Sequence, residues 1–252
     1  MTIHRRRFGQ NFLKDPSVID RILVSVAATD QQRLIEIGPG RGALTKGLAK
    51  TGCDLTLIEV DRDLLPELQR VFPTAKLIGQ DVMTVNFSDL GPGPFRIVGN
   101  LPYNISTPLM FKLFTDQTRF VDMHFMLQVE VVDRMIANPS TKAYGRLSVM
   151  SQLYCEAEKL FEIPPEAFSP KPKVRSAIVR LRSRIEFFDE PPLLEQVLIQ
   201  AFSARRKTVR NALKTLLNSE ELEKLEIDQA VRPENLTPDQ FMACARLLQT
   251  RP

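Results

Sequence analysis

Residues 100–103 (Asn-Leu-Pro-Tyr) combine the residue types needed to hold a flat amino group. They follow an apolar segment, residues 95–98, that is typical of a buried strand, and ligands bind at the carboxyl ends of strands in an open α/β sheet. The side-chain oxygen of Asn100 and the carbonyl of Leu101 can accept the two N–H groups of an exocyclic amine, while Tyr103 stacks on the ring. Such a site would activate the amine by positioning alone. Alternatively, the four residues form a proline turn that only ends a strand.

A nucleoside pocket is predicted at three strand ends earlier in the chain. The strand at residues 34–37 is followed by Gly-Pro-Gly-Arg-Gly at residues 38–42 and then by a helix, and glycines at this junction let the backbone approach a ligand. Glu59 ends the next strand, about 20 residues on, where a carboxylate can bind ribose hydroxyls. Asp81 and Val82 follow the third strand, where a carboxylate can accept from an adenine amino group while Val82 covers the ring.

Glu36 favours a cationic nucleoside over a dinucleotide. It lies two residues before the glycine segment, where its carboxylate would repel a pyrophosphate and attract a cation such as a sulfonium. The spacing Gly-x-Gly-x-Gly also departs from the dinucleotide pattern Gly-x-Gly-x-x-Gly, in which Ala43 would take the last position. Considered alone, Glu36 is explained equally well as a solvated or hydrogen-bonded acid at a strand end.

The composition is that of an ordinary globular protein. Of the 252 residues, 43% are hydrophobic and 25% are charged, which is enough apolar material for a sizeable core. Strand and helix patterns alternate as far as the proline-containing segment at residues 190–192, and the patterns beyond it are helical. We predict an α/β domain at residues 1–187 and a helical domain at residues 188–252.

Neither a membrane span nor a metal or disulfide site is expected. No apolar run approaches the ~20 residues of a membrane-spanning helix, and the basic first residues lead into no signal-type segment. The three cysteines and two histidines do not have the usual spacings of a zinc site or a disulfide framework. A cytoplasmic location is therefore expected. His124 lies in an apolar strand and is interpreted as a hydrogen-bonded core residue.

Two basic stretches predict contact with a phosphate backbone. The net charge is only +4, but residues 171–184 contain six basic residues and no acid, and a second acid-free cluster lies at residues 205–214. A solvated surface is the usual meaning of such stretches. Beside a site for a flat amine, contact with nucleic-acid phosphates is the favoured interpretation. The residues predicted to bind RNA are Lys171, Lys173, Arg205, Arg206, Lys207 and Arg210.

Taken together, the glycine segment, Glu59, Asp81 and residues 100–103 resemble the motifs of S-adenosylmethionine-dependent methyltransferases that modify adenine N6. Three further segments are similar to those of the KsgA/Dim1 family of ribosomal RNA adenine dimethyltransferases. These are residues 9–13 (Gly-Gln-Asn-Phe-Leu), 168–172 (Phe-Ser-Pro-Lys-Pro) and 202–208 (Phe-Ser-Ala-Arg-Arg-Lys-Thr). The resemblance runs in order from about Phe8 to the last helix.

The resemblance implies an α/β fold: a Rossmann-like class I methyltransferase sheet of seven strands, the last antiparallel, with a small C-terminal helical domain. It implies S-adenosyl-L-methionine as cofactor. Asn100 and Leu101 would hold the target amine, and Tyr103 would stack on its base. The residues implied in cofactor binding are Gln10, Asn11, Leu13, Gly38, Gly40, Glu59, Asp81, Val82 and Asn100.

The implied substrate is small-subunit (16S) ribosomal RNA, in which two adjacent adenines near the 3′ end each receive two methyl groups during subunit biogenesis. A monomer acting on the small ribosomal subunit is expected. One alternative is a ribosome-assembly factor that keeps this fold as an RNA clamp without turnover. Another is the antibiotic-resistance methyltransferase of large-subunit RNA, against which Leu101 argues because that group tends to have isoleucine there. A nicotinamide oxidoreductase is disfavoured by Glu36.

Overall fold

The computed structural model describes residues 11–116, 119–184, 191–203 and 206–250. Two compact units are distinguished by their internal contacts. The first lies within Met1–Val132 and Glu156–Ile185, and the second within Asp133–Cys155 and Glu186–Pro252.

A seven-stranded sheet forms the centre of the first unit, in the order β4-β3-β2-β5-β6-β9-β7. The strands are β1 Phe12–Leu13, β2 Arg33–Ile37, β3 Asp54–Ile58, β4 Lys76–Ile78, β5 Phe95–Asn100, β6 Phe120–Gln128, β7 Cys155–Ile163, β8 Phe168–Ser169 and β9 Ser176–Ser183. Strands β2 to β6 pair in parallel, and β9 runs antiparallel to β6. The predicted sheet of seven strands with an antiparallel last strand is confirmed.

Helices join the strands of this unit. They are α1 Pro16–Val26, α2 Thr45–Ala49, α3 Leu65–Val71, α4 Ser106–Thr115 and α5 Val129–Met135. Asp15 caps α1 by accepting from the backbone N–H of Ser17, with Pro16 in the first turn. Helix α1 buries Val18, Ile22 and Val26, spaced at four residues, so that one face joins the core.

The short ribbon of β1 and β8 stands apart from the main sheet. Phe12 pairs with Ser169 and Leu13 with Phe168, in antiparallel register. The backbone N–H of Lys14 also donates to the carbonyl of Ala167. The sequence does not predict this ribbon, because two residues are too few to show an alternating pattern. The ribbon brings the segment at residues 11–13 together with the segment at residues 168–172.

The second unit is helical in its described residues. Its helices are α6 Arg146–Tyr154, α7 Leu194–Phe202, α8 Val209–Leu213, α9 Ser219–Lys224 and α10 Pro238–Gln249. Asn218 and Thr237 begin α9 and α10 with reciprocal capping boxes. The hydroxyl of Tyr144, which is buried, donates to the carbonyl of Leu236 at 2.9 Å.

The division into units differs from the predicted domains in one segment. The prediction assigns Asp133–Cys155 to the first domain, whereas in the structure it groups with the C-terminal helices because α6 packs against α7 and α10. Helix α6 buries seven of its nine residues and so shows no polar face in the sequence. The predicted boundary between residues 187 and 188 lies outside the described residues and stays a prediction.

Over the described ranges, no helix is long and apolar enough to cross a membrane. The same ranges contain no group of three or more His, Cys, Asp or Glu side chains that could hold a metal ion. Cys53, Cys155 and Cys244 are all buried.

Candidate cofactor and target-base site

A cavity of about 590 Å³ opens at the carboxyl ends of the parallel strands. It is large enough for a nucleoside cofactor. Gln10 lies outside the described residues. The other residues predicted to bind cofactor or target all line this cavity: Asn11, Leu13, Gly38, Gly40, Glu59, Asp81, Val82, Asn100, Leu101 and Tyr103.

The glycine segment forms one wall of the cavity in a conformation that side chains rarely adopt. Gly38 has φ of 67° and Gly40 has φ of 57°, both in the left-handed region. The N–H of Gly38 donates to the carbonyl of Ile58, which ties the segment to the end of β3. A Cβ on Gly40 would stand 3.1 Å from the ring of Phe12, so the backbone here lies directly against the aromatic side chain of β1.

Glu59 is buried, only 2% exposed, and both of its carboxylate oxygens bind the backbone. One oxygen accepts from the N–H of Gly40 and the other from the N–H of Asp61, each at 3.0 Å. Burial raises the pKa of Glu59, and these two N–H groups oppose that shift. Each oxygen keeps a second lone-pair site, so Glu59 can fix the glycine segment and still accept from ligand hydroxyls.

Glu36 presents an unsatisfied oxygen at the same cavity. It is 2% exposed, and its Oε2 has no hydrogen-bond partner among the described residues. Burial raises the pKa of Glu36 to about 7; the hydroxyl of Thr45 opposes the shift and the negative charge of Glu59 adds to it. A buried acceptor without a donor costs free energy, which a cationic ligand with N–H groups would recover. These carboxylate acceptors therefore fit S-adenosylmethionine, whose methionine part carries an ammonium and a sulfonium.

Asp81 and Val82, which follow β4, also line the cavity. Asp81 is exposed, and its Oδ1 accepts from the N–H of Met83, which caps a short 3₁₀ turn, Val82–Thr84. This bond leaves the second carboxylate oxygen for a ligand donor. Val82 is buried and presents an apolar wall to the cavity. The arrangement suits an adenine, with its amino edge at the Asp81 carboxylate and its ring face against Val82.

Asn100 is the last residue of β5 and is held by its amide nitrogen. Nδ2 donates to the carbonyl of Asn11 at 2.9 Å. This bond uses the amide nitrogen, so Oδ1 remains as a hydrogen-bond acceptor. No hydrogen bond to Oδ1 is present within the described residues. The strand reaches Asn100 rather than ending at Gly99, because Asn100 still pairs with Met126 of β6, while Gly99 pairs with Ile37 of β2. A Cβ on Gly99 would lie 2.8 Å from the Ile37 carbonyl, so this glycine serves close strand packing.

Tyr103 lies in the turn between β5 and α4 and is bonded at both ends. Its hydroxyl shares a hydrogen bond of 2.8 Å with the hydroxyl of Ser176, and its carbonyl accepts from Ser106 Oγ at 3.0 Å. The sequence predicts a side-chain cap on α4 from Ser106 or Thr107. That prediction is wrong: the N-cap is Ile105, with no side-chain cap, because Ser106 turns back to Tyr103.

Phe12 and Arg41 complete the cavity and were not predicted. Phe12 covers the glycine segment, and the Arg41 guanidinium carbon lies 4.9 Å from the centre of the Phe12 ring. Phe12 stands between Asn11 and Leu13, so its position in the chain was a usable signal. The Arg41 contact joins two segments distant in sequence and left no such signal.

Half of the first basic stretch is compensated by acids. Lys171 pairs with Glu166, Arg175 with Glu162 and Arg180 with Glu158. The three acids recur every four residues on β7 and just after it, and all of them precede residues 171–184. Lys173 is exposed. In the second unit, Arg206, Lys207 and Arg210 are exposed around the start of α8, and Arg205 lies outside the described residues.

His124 is a buried residue of β6 and is absent from the cavity wall, as its apolar surroundings predicted. Burial lowers its pKa to about 4. The expected hydrogen bonds are not found: neither ring nitrogen makes one of normal geometry among the described residues, although Nδ1 lies 3.8 Å from Asp122 Oδ1.

Comparison with known proteins identifies the enzyme class. A family model described as ribosomal RNA adenine dimethylase matches residues 1–250. Ribosomal RNA small subunit methyltransferase A of Hahella chejuensis is 49% identical, covering 98% of this chain and 94% of its own. The protein of the same name from Klebsiella pneumoniae (strain 342) is 48% identical, covering 97% and 93%.

Two solved structures share the fold over nearly the whole chain. A dimethyladenosine transferase from Plasmodium falciparum has a TM-score of 0.80 and 26% identity, covering 92% of this chain and 95% of its own. The 23S rRNA methyltransferase ErmE has a TM-score of 0.71 and 25% identity, covering 95% and 100%.

These matches confirm the predicted activity, adenine dimethylation of small-subunit ribosomal RNA, and S-adenosylmethionine as its methyl donor. The chain belongs to the ribosomal RNA adenine dimethylase family.

Proposed function

We propose that this chain dimethylates N6 of two adjacent adenines near the 3′ end of 16S ribosomal RNA and acts on the small ribosomal subunit during its biogenesis. The observation that carries the proposal is the anchored side chain of Asn100, which turns an acceptor oxygen toward a cavity that Tyr103 also lines. The names of the two bacterial relatives support the small subunit as substrate.

The cofactor would be held by the residues at the ends of β2, β3 and β4. Gly38 and Gly40 would contact the methionine part, with Glu36 accepting from its ammonium group. Glu59 would bind the ribose hydroxyls. Asp81 and Val82 would hold the adenine, and Gln10, Asn11 and Leu13 would close over the cofactor. When bound, S-adenosylmethionine supplies an electrophilic methyl group.

The target adenine would be held at the end of β5. The Asn100 side-chain oxygen and the Leu101 carbonyl would accept the two N–H groups of the amine, directing its lone pair out of conjugation with the ring. Tyr103 would stack on the base, which must first leave its own stack at a cost of a few kcal/mol. Alignment activates the neutral amine without a general base, and the methylated nitrogen, now cationic and acidic, would release its extra proton to water after the transfer.

RNA binding would depend on the exposed basic residues. Lys173 in the first unit and Arg206, Lys207 and Arg210 in the second are exposed, and Arg205 belongs to the same cluster in sequence. Lys171 would contribute less than Lys173, because its charge is paired with that of Glu166. Each phosphate neutralised should change the slope of log affinity against log salt by roughly 0.7 to 0.9.

A monomer acting in the cytoplasm completes the proposal. Residues of one chain supply the whole described wall of the cavity, so a second copy is not needed to build it. The ribosomal substrate supports the cytoplasmic location.

The decisive experiment is methylation with radiolabelled S-adenosylmethionine. Small subunits lacking the modification, large subunits, and naked 16S and 23S RNA are offered separately, and methylated bases are mapped. We expect label on two adjacent adenines near the 3′ end of 16S RNA. Label on 23S RNA would instead favour an activity like that of the 23S rRNA methyltransferase ErmE. Tight binding to small subunits without any label would favour the non-catalytic clamp.

A further inference from the structure

The hydroxyls of Tyr103 and Ser176 lie 2.8 Å apart and share a hydrogen bond. The two residues are 73 positions apart in the chain. Tyr103 lines the cavity beside Asn100, whereas Ser176 is absent from the cavity wall. The bond therefore connects a predicted substrate contact to a residue behind it.

Ser176 is a rigid anchor. Its side chain is 0% exposed, and it is the first residue of β9, where it pairs with Gln128 of β6 in the antiparallel ladder. The carbonyl of the preceding Arg175 accepts from the N–H of Val129 at 3.1 Å. The pairing with Gln128 and the bond between Val129 and Arg175 thus fix the backbone at Ser176. The Ser176 hydroxyl therefore has little freedom of position.

Tyr103, by contrast, depends on this bond for the orientation of its ring. It lies in a turn and is only half-buried, and its other bond, from Ser106 Oγ, holds the backbone carbonyl. A backbone contact leaves rotation about the side-chain torsions free. The hydroxyl bond to Ser176 removes that freedom.

The same bond explains why the position carries tyrosine. A phenylalanine ring would offer an equivalent face for stacking on a base. The phenolic hydroxyl is not needed for stacking, and its hydrogen-bond partner in the structure is Ser176. The hydroxyl thus has a positioning purpose that the ring alone cannot serve.

We propose that Ser176 is a positioning residue for methyl transfer, fixing the Tyr103 ring in the orientation that stacks on the target base. The inference rests on the stacking role of Tyr103 in the proposed function. Preorganisation of this kind acts on the chemical step, since a small misplacement of the base misaligns its amino group. Cofactor binding at the ends of β2 to β4 is independent of it.

A double-mutant cycle tests the proposal with Ser176→Ala, Tyr103→Phe and the double variant. For each protein, kcat and KM for small subunits, Kd for S-adenosylhomocysteine and the melting temperature are measured. Losing one hydrogen bond should lower kcat by roughly five- to tenfold in each single variant. The double variant should be no slower than either single variant, because all three lack the same bond. The Kd for S-adenosylhomocysteine should not change.

Ser151→Ala is the matched control. Ser151 is also a fully buried serine, in α6, but its hydroxyl has no partner among the described residues. This variant should keep the wild-type kcat. Multiplicative losses in the double variant, or a Ser176→Ala protein with wild-type kcat and only a lower melting temperature, would overturn the positioning role.

Tyr103→Ala separates this inference from the proposed function. If it methylates as fast as wild type, the stacking role itself fails, whatever the cycle shows. If Tyr103→Ala is inactive while Ser176→Ala is unaffected, stacking stands and only the positioning role is lost.

Discussion

The amide nitrogen of Asn100 donates to the backbone carbonyl of Asn11 at 2.9 Å, joining the end of β5 to the segment that leads into β1. Asn100 thereby belongs to both halves of the site. Its nitrogen holds a residue of the predicted cofactor cover, and its oxygen remains for the target amine.

Replacing Asn100 should therefore have two separable effects. Asn100→Ala should lower kcat about 100-fold, as expected when one preorganised hydrogen-bonding group at the reacting centre is removed. It should also raise the Kd of S-adenosylhomocysteine about fivefold, because Asn11 loses a bond worth about 1 kcal/mol. Single-turnover methylation and calorimetric titration measure the two effects. An unchanged kcat would contradict the acceptor role, and an unchanged Kd would contradict the anchoring role.

Glu36 should make the protein sensitive to pH near neutrality. Its folded pKa of about 7 lies above the ordinary value of 4.5, so the stability it contributes in the cofactor-free protein is present below pH 4.5 and is lost as pH rises through 7. A cationic ligand favours the ionised carboxylate, so cofactor affinity should rise over the same interval.

Glu36→Gln isolates this effect from that of Glu59, whose pKa is also raised. The variant should show a flatter dependence of melting temperature on pH and a weaker rise of cofactor affinity between acid and neutral pH. Thermal melts and titrations with S-adenosylhomocysteine across that range provide the measurement. If wild type and variant have parallel profiles, Glu36 does not titrate there.

Phe12 should contribute to cofactor affinity through its contact with the glycine segment. Phe12→Ala uncovers Gly40 and removes the stacking partner of Arg41, so the Kd of S-adenosylhomocysteine should rise about tenfold. Phe161→Ala is the matched control, since Phe161 on β7 also packs under an arginine, Arg21, at 4.0 Å but is absent from the cavity wall. Equal losses in both variants would mean that the effect is general destabilisation.

The parts of this structure that the sequence predicted are those with local signals. The strands β2, β3 and β5 are short, mostly apolar segments, and the glycine segment follows β2 directly, so their order predicts Glu59 and Asn100 at one edge of the sheet. The capped start of α1 at Asp15 and Pro16 is equally local.

The parts that were missed depend on contacts between distant segments. Two of these contacts are the β1–β8 ribbon and the bond between Tyr103 and Ser176. Both join residues far apart in the chain, and no periodic pattern in the sequence predicts them. Helix α6 is buried on nearly all sides, so its sequence lacks the amphipathic period. The acids that pair with Lys171, Arg175 and Arg180 precede the basic stretch in sequence, which made it look more strongly charged than it is.

Gly99 should be irreplaceable because of strand spacing. In Gly99→Ala the new methyl group would meet the Ile37 carbonyl at 2.8 Å, so β2 and β5 must move apart. The free energy of unfolding should fall by about 1–3 kcal/mol. Gly145→Ala is the control, because a Cβ there meets nothing within 4 Å. Chemical denaturation of both variants decides the matter, and equal stabilities would refute the packing argument.

The ion pairing of the first basic stretch predicts which lysine contributes to RNA affinity. Lys173→Ala should weaken binding and reduce the slope of log affinity against log salt by roughly 0.7 to 0.9, the contribution of one phosphate. Lys171 is paired with Glu166, so removing both partners in Lys171→Ala/Glu166→Ala leaves the net charge unchanged and should leave the affinity nearly unchanged. Filter binding of 16S RNA at several salt concentrations measures both slopes. If the paired double variant loses as much as Lys173→Ala, the pair opens on RNA and Lys171 binds a phosphate itself.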